Sequence, residues 1–194
     1  MSSGDAPDRP TLGWRATLAL LERLPQAGLS RSLGRLADTP VPRAWRPRVY
    51  RTFARAVGAD LGEVEKPLTE YPTVNAFFVR RLKPGVRHWP EDPGALASPV
   101  DGVVGAVGEI RGGTAIQAKG RDYPVAEMIV DPEGARALEG GRFLTLYLSP
   151  RHYHRVHAPV GGTIAHARHM PGGLFPVNAP AVSHVPRLFA TNER

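Results

Sequence analysis

The chain has 194 residues, 42% hydrophobic and 22% charged, a length and balance that suit one buried core and exclude wholesale disorder. It has no cysteine, which excludes disulfides, thiolate metal sites and a cysteine nucleophile together, and a net charge of +7 that asks for an anionic partner. No run of about 18 apolar residues occurs and the opening MSSGDAPDRP is polar, so neither a spanning helix nor a secretory signal is expected.

The excess charge lies at the start. Residues 1–58 hold ten arginines, no lysine and four acids, a local balance of +6. Apolar residues recur there at helical spacing: Trp14, Leu18 and Leu21, then Leu29, Leu33 and Leu36, with Pro25 between the two blocks. A third stripe follows Pro47, with Tyr50, Phe53, Val57 and Leu61 on one side and Arg51 and Arg55 on the other. Three short basic amphipathic helices are predicted. Such helices lie in a headgroup layer with arginine against phosphate, or dock their stripes on a core, and the pattern fits both uses.

The 21 glycines and 20 prolines, about a fifth of the chain, call for short elements and many turns. Residues 73–82 read as a short helix burying Phe77 and Phe78, and KPGVRHWPEDPG as a turn-rich connector. From Pro99 onwards the β-branched or alternating runs VVGAVGEI, FLTLYL and GGTIAHARH predict strands. Between them Val125 to Leu138 reads as helix broken in two at Asp131-Pro132. The fold class is therefore α+β: N-terminal amphipathic helices (residues 1–65), followed by a β-rich core (residues 66–194).

YLSPRHYHRVHAPVGG, residues 147–162, concentrates the chemistry, with three histidines in six positions. As zinc ligands they are poorly disposed. Strand alternation puts His152 and His154 on one face and His157 on the other, and no acid lies between Glu139 and His157. A proton relay asks only for a neutral imidazole near the reacting group and a carboxylate to orient it. Asp101, in SPVDGVVG, is the candidate orienter, although Asp-Gly also serves as a plain turn.

The ordered segments FFVRRLKPGVR (77–87), SPVDGVVG (98–105), KGRDYPVAEMI (119–129), FLTLYLSPRHYHRVHAPVGG (143–162), PGGLFPVN (171–178) and LFATNER (188–194) resemble phosphatidylserine decarboxylase. The resemblance runs from about residue 70 to the end; the first 60 residues match in character only. It implies a pyruvoyl enzyme of phospholipid biosynthesis, made as a proenzyme. In this family a serine of a Gly-Ser pair splits the chain and leaves a pyruvoyl group, a covalent pyruvate cofactor, on the new amino terminus of the α chain. The group then forms a Schiff base with phosphatidylserine, acting as electron sink while carbon dioxide leaves and phosphatidylethanolamine forms. The resemblance assigns Asp101 and His157 to the self-cleaving triad and His154 to the decarboxylation step, with no metal, and leaves His152 as a surface residue.

It further implies a homodimer, peripheral at an anionic phospholipid membrane on the cytoplasmic face. One departure is plain: no Gly-Ser pair occurs in the 194 residues, and the two Gly-Thr pairs, at Thr114 and Thr163, would not yield a pyruvoyl group. The sequence thus reads as the acid–base half of such an enzyme, without its nucleophile. That half should expose unpaired strand edges. The contrasting reading is a non-catalytic basic nucleic-acid-binding module, favoured by the pI near 10.3 and opposed by 7% aromatic content and no binding motif. A zinc hydrolase using the three histidines is a third.

Overall fold

The computed structural model describes residues 26–117, 121–177, 181, 182, 185 and 187–194. The predicted helix around Trp14, Leu18 and Leu21 lies outside them. The chain forms two compact units, both built from separated segments. One comprises residues 1–31, 104–145 and 167–194; the other comprises residues 32–103 and 146–166.

The second unit contains the better part of the predicted helices. Helix α1 (Gln26–Ala37) carries the second leucine stripe, yet Leu33 is 57% and Leu36 69% exposed, so these two side chains dock on no core. Helix α2 (Arg46–Val57) starts with proline in its first turn and stops at Gly58, whose φ of 76° lets its N–H reach the Ala54 carbonyl. Its stripe is buried: Tyr50 is inaccessible and packs with Val64, Tyr71 and Phe77, with Phe53 and Leu61 at the margin. Arg46 sits at the unfavourable end of the helix dipole, where its Nε donates to the Val41 carbonyl at 2.8 Å and its Nη1 to that of Thr69 at 2.7 Å.

Helix α3 (Val74–Phe78) is short and capped by Thr73, whose hydroxyl accepts from the Ala76 N–H at 3.0 Å. Phe77 is fully buried, stacked on Tyr50 with 4.8 Å between centroids, whereas Phe78 is half-buried and turned towards the histidine segment. The Tyr50 hydroxyl closes the core by donating to the Tyr71 carbonyl at 2.8 Å. The next residues run beside the Glu63 segment, with a bridge between Val64 and Leu82 and the Lys83 N–H on the Glu63 carbonyl.

The first unit holds the strands. β1 (Val103–Glu109) pairs with β4 (Arg142–Tyr147), and β2 (Thr114–Gln117) forms an antiparallel hairpin with β3 (Arg121–Pro124) in the register Ala115 to Tyr123. Gly108 is required by approach: a Cβ there would lie 2.7 Å from the Phe143 ring. Gly112 and Gly113, both at positive φ, are held by the Glu139 carboxylate, which accepts from each N–H at 2.8 Å. The broken helix appears as α4 (Val125–Ile129) and α5 (Pro132–Ala137), the latter capped by Asp131. Ile110, Ala115, Val125 and Ala135 form its core.

PGGLFPVN and LFATNER are knitted together. Asn192 pairs both ways with the Phe175 backbone, and helix α6 (Leu188–Thr191) buries Leu188 among Ala181 and Val185. Arg194 reaches the Glu127 and Met128 carbonyls of α4. These motifs therefore have structural work of their own.

The architecture is α+β, with four short strands among the described residues. The β2–β3 hairpin was not legible beforehand, and GGTIAHARH, expected as a strand, forms none. Alternation alone does not make a strand: backbone groups must find a neighbour, and Ile164 stands 86% exposed on a segment that no described strand pairs with.

Candidate active site

Asp101 lies in a bend after Pro99. Gly102 follows it because the chain passes close to β4: a Cβ there would meet the Tyr147 carbonyl oxygen at 3.0 Å. The carboxylate does not hydrogen-bond a histidine; it faces Arg87. The guanidinium donates from Nε to Oδ1 at 2.8 Å and from Nη2 to Oδ2 at 2.5 Å. It also spans Glu63, donating from Nη1 to Oε1 and from Nη2 to Oε2, both at 3.0 Å. One arginine thus grips two carboxylates, each in bidentate fashion. The Arg87 bonds first, with the Tyr153 backbone adding to them, hold the Asp101 carboxyl below its ordinary value despite partial burial. The same pairings push Arg87 further up.

His157 is brought to Asp101 by the backbone: its N–H donates to the Pro99 carbonyl at 2.8 Å, and next to that the Ala97 N–H donates to Pro159 at 3.0 Å. Its Nε2 shares a hydrogen bond with the Tyr153 hydroxyl at 3.1 Å, and the ring lies between Tyr153 and the edge of Trp89. Asp101, Arg87, Tyr153, Trp89 and His157 line a common cavity of about 660 Å³.

His154 is not among that cavity's lining residues. Its ring stacks on Phe78 with 4.0 Å between centroids. Its Nε2 faces the Ser149 carbonyl at 3.0 Å, and since a carbonyl only accepts, Nε2 carries the proton and Nδ1 keeps the basic lone pair. Burial first, then the charge of Arg80, lowers its pKa and favours the neutral ring. His152, expected at the surface, is half-buried: its Nδ1 accepts from the Ser149 N–H at 3.0 Å. Burial and Arg151 lower its pKa, with Asp101 opposing.

A second cavity of about 340 Å³ shares Arg87, Asp101 and Tyr153 and adds Glu63, Arg80 and His152. Arg80 is only 3% exposed, lies over the Phe77 ring at 5.2 Å and leaves Nε and Nη1 without a partner. Burial lowers its pKa. Among the described residues no group of three histidine or acidic side chains is placed to hold a metal.

Arg87 and Glu63 were missed from sequence. Arg87 stands inside FFVRRLKPGVR, but as one arginine of many; only the turn at Lys83–Val86, with Gly85 at φ 78°, aims it at Asp101.

The family model for phosphatidylserine decarboxylase matches residues 74–194, which contain all of these groups except Glu63. The chain belongs to the phosphatidylserine decarboxylase family. A phosphatidylserine decarboxylase proenzyme of Brevibacillus brevis is 43% identical over 184 residues, 94% of this chain and 64% of the relative. Proenzymes of Myxococcus xanthus and Xanthomonas euvesicatoria are 44% and 45% identical over 91% and 87% of this chain. The chain spans 59–64% of the length of these phosphatidylserine decarboxylase proenzymes.

Proposed function

We propose that this chain supplies the acid–base machinery of a phosphatidylserine decarboxylase proenzyme, which converts phosphatidylserine to phosphatidylethanolamine and carbon dioxide at an anionic membrane. One observation carries the reading: within a chain of this family, Asp101 and His157 line the same cavity, joined through the Pro99 carbonyl and Tyr153.

A serine hydroxyl becomes a nucleophile when an imidazole takes its proton. His157 is suited to that, its ring fixed by Tyr153 and Trp89 and open to the cavity. Asp101 stays ionised beside it and stabilises the imidazolium that forms, through the field rather than a direct bond. His154, neutral with Nδ1 basic, accepts and returns a proton at a second position.

The residues present fit a pyruvoyl group on an α chain: the cavity offers a general base, a phenol and an ionised carboxylate, and its lysine, Lys83, is engaged with the Gly62 carbonyl at 2.7 Å. When bound, that group supplies the electrophilic carbonyl and the electron sink. His157 and Tyr153 would border it, with Trp89 and Leu96 on the cavity wall. The phosphatidylserine substrate, the α chain, the homodimer and the peripheral cytoplasmic-face location belong to this proposal, as does the role of residues 1–65 in reaching the membrane. Among the described residues no helix is long and apolar enough to cross it.

The test joins this chain to the C-terminal segment of the Brevibacillus brevis proenzyme that lies beyond the matched region. Self-cleavage into two chains, followed by carbon dioxide release from phosphatidylserine vesicles, is expected. His157→Ala and Asp101→Asn should abolish cleavage, while His154→Ala should cleave and fail to decarboxylate. Cleavage of the His157→Ala protein at the parent rate would overturn the assignment.

A further inference from the structure

Arg87 is absent from the roles just described, yet it makes more side-chain bonds to carboxylates than any other described residue. Four N–H groups' worth of contacts join it to Asp101 and Glu63, at 2.5 to 3.0 Å. Its fork matches a carboxylate edge, which an ammonium cannot do. Glu63 is in turn fixed by its own backbone, whose carbonyl accepts from the Lys83 N–H at 2.9 Å, four residues before Arg87. The result is a chain of restraint: backbone to Glu63, Glu63 to Arg87, Arg87 to Asp101.

We infer that Arg87, braced by Glu63, is the positioning residue of Asp101: it fixes the direction of the carboxylate at the cavity wall for the His157 step. The inference deepens the proposed function and rests on it for the step served; the grip on Asp101 stands by itself. Arg87 touches no reacting atom in this scheme and acts only through Asp101.

Three features favour positioning over a surface ion pair. Exposed pairs of single contacts contribute little, but here the contacts are doubly bidentate, and the Asp101 side chain is only 21% exposed. The arginine is the more exposed of the two, at 44%. Asp101 accepts no hydrogen bond from a histidine; its side-chain partner is Arg87.

The groups facing Asp101 that also carry or gain charge are Glu63, Asp60, Arg80, Arg151, His152 and His157. The larger cavity is also lined by Arg81, Lys83 and His88. Of all these only Glu63 touches Arg87, so Glu63→Gln perturbs the brace without removing the grip.

The experiment follows the carboxyl carbon of Asp101 by NMR through a pH titration of the 194-residue chain, with Asp101→Asn to assign it, and measures self-cleavage against pH in the fusion described above. Arg87→Gln is expected to move the Asp101 titration up towards the ordinary carboxylate range and to slow cleavage by roughly tenfold to a hundredfold at neutral pH. Arg87→Lys keeps the charge and loses the fork: the Asp101 titration should stay near the parent position while the rate remains depressed. Glu63→Gln should give the smaller loss, again in rate more than in titration. A merely structural arginine would lower the melting temperature in all three without moving the Asp101 titration.

An Asp101 titration unchanged in both Arg87→Gln and Glu63→Gln overturns the inference, as does Arg87→Lys cleaving at the parent rate. Where the parent fusion does not cleave at all, the proposed function fails, and the Asp101 titration alone decides for or against the grip.

Discussion

Replacing Phe77 by alanine tests the link between core and site. The ring is fully buried, stacked on Tyr50 at 4.8 Å and met edge-on by Tyr71 at 5.5 Å and Phe53 at 6.1 Å, with the Arg80 guanidinium over its face. Phe→Ala in cores costs about 3–5 kcal/mol, and a site walled by three other rings cannot collapse readily, which places this one at the upper end. Against a typical total of about 5–15 kcal/mol, that removes a third or more of the stability. Phe77→Leu separates the contributions. It keeps most of the apolar burial but forgoes aromatic pairs worth about 0.5–1.5 kcal/mol each, so a loss of roughly 1–3 kcal/mol is expected. Urea unfolding followed by tyrosine fluorescence reads both, with an unchanged m-value showing that the same surface is exposed. Because Phe78, the neighbour of Phe77 on α3, carries the His154 ring, alanine at 77 should also bring the His154 titration back towards 6.5 as its burial loosens. A loss below about 1 kcal/mol for alanine, or leucine as damaging as alanine, would refute the packing account.

Other expectations concern charge. His154 and His152 titrate below 6.5 in the folded chain, so folding favours their neutral forms; stability is complete above about pH 6.5 and declines as pH falls below it, and His154→Gln should flatten that decline in a melting series from pH 7.5 to 5. Asp101, held low by Arg87, adds a second loss at still lower pH, as the medium falls through its ordinary value of 3.8 towards its folded one; Asp101→Asn should remove that segment. Arg80→Met should cost less than about 1 kcal/mol or stabilise, since a buried guanidinium with two unpartnered nitrogens gives way to an apolar chain of similar shape, and a loss above about 2 kcal/mol in thermal unfolding would contradict that. Vesicle sedimentation should show binding that needs anionic lipid and weakens with salt, with each basic residue near the surface contributing about 1 kcal/mol; equal binding to neutral vesicles would count against the electrostatic part.

The sequence signals that proved legible were those where a side-chain pattern answers to local geometry. The stripe of Tyr50, Phe53 and Val57 announced α2 because helical spacing and burial coincide there, and Asp131-Pro132 announced the break between α4 and α5 because proline both ends and starts helices. Leu33 and Leu36 of α1 had the same spacing but a different fate, exposure, which periodicity does not distinguish. The β2–β3 hairpin escaped notice because its strands have four residues each and its flanking Gly112-Gly113 turn reads as loop. Asp101 and His157 were found through motif, and their nearness depends on a backbone bond across chain segments that no local pattern encodes. Arg87 was hidden for the same reason: its charge is common in this chain, and what singles it out is where a glycine turn sends it.

The separated segments that build each unit have a temporal meaning. The Tyr50–Phe77 core is made from one continuous stretch and can form as soon as that stretch leaves the ribosome. The cavity cannot, because Pro99 must wait for His157, and Ala97 for Pro159, until the intervening strands and helices have been synthesised. The pairing of the Asp101 segment with the His157 segment is therefore made after the scaffold that carries Asp101 is in place.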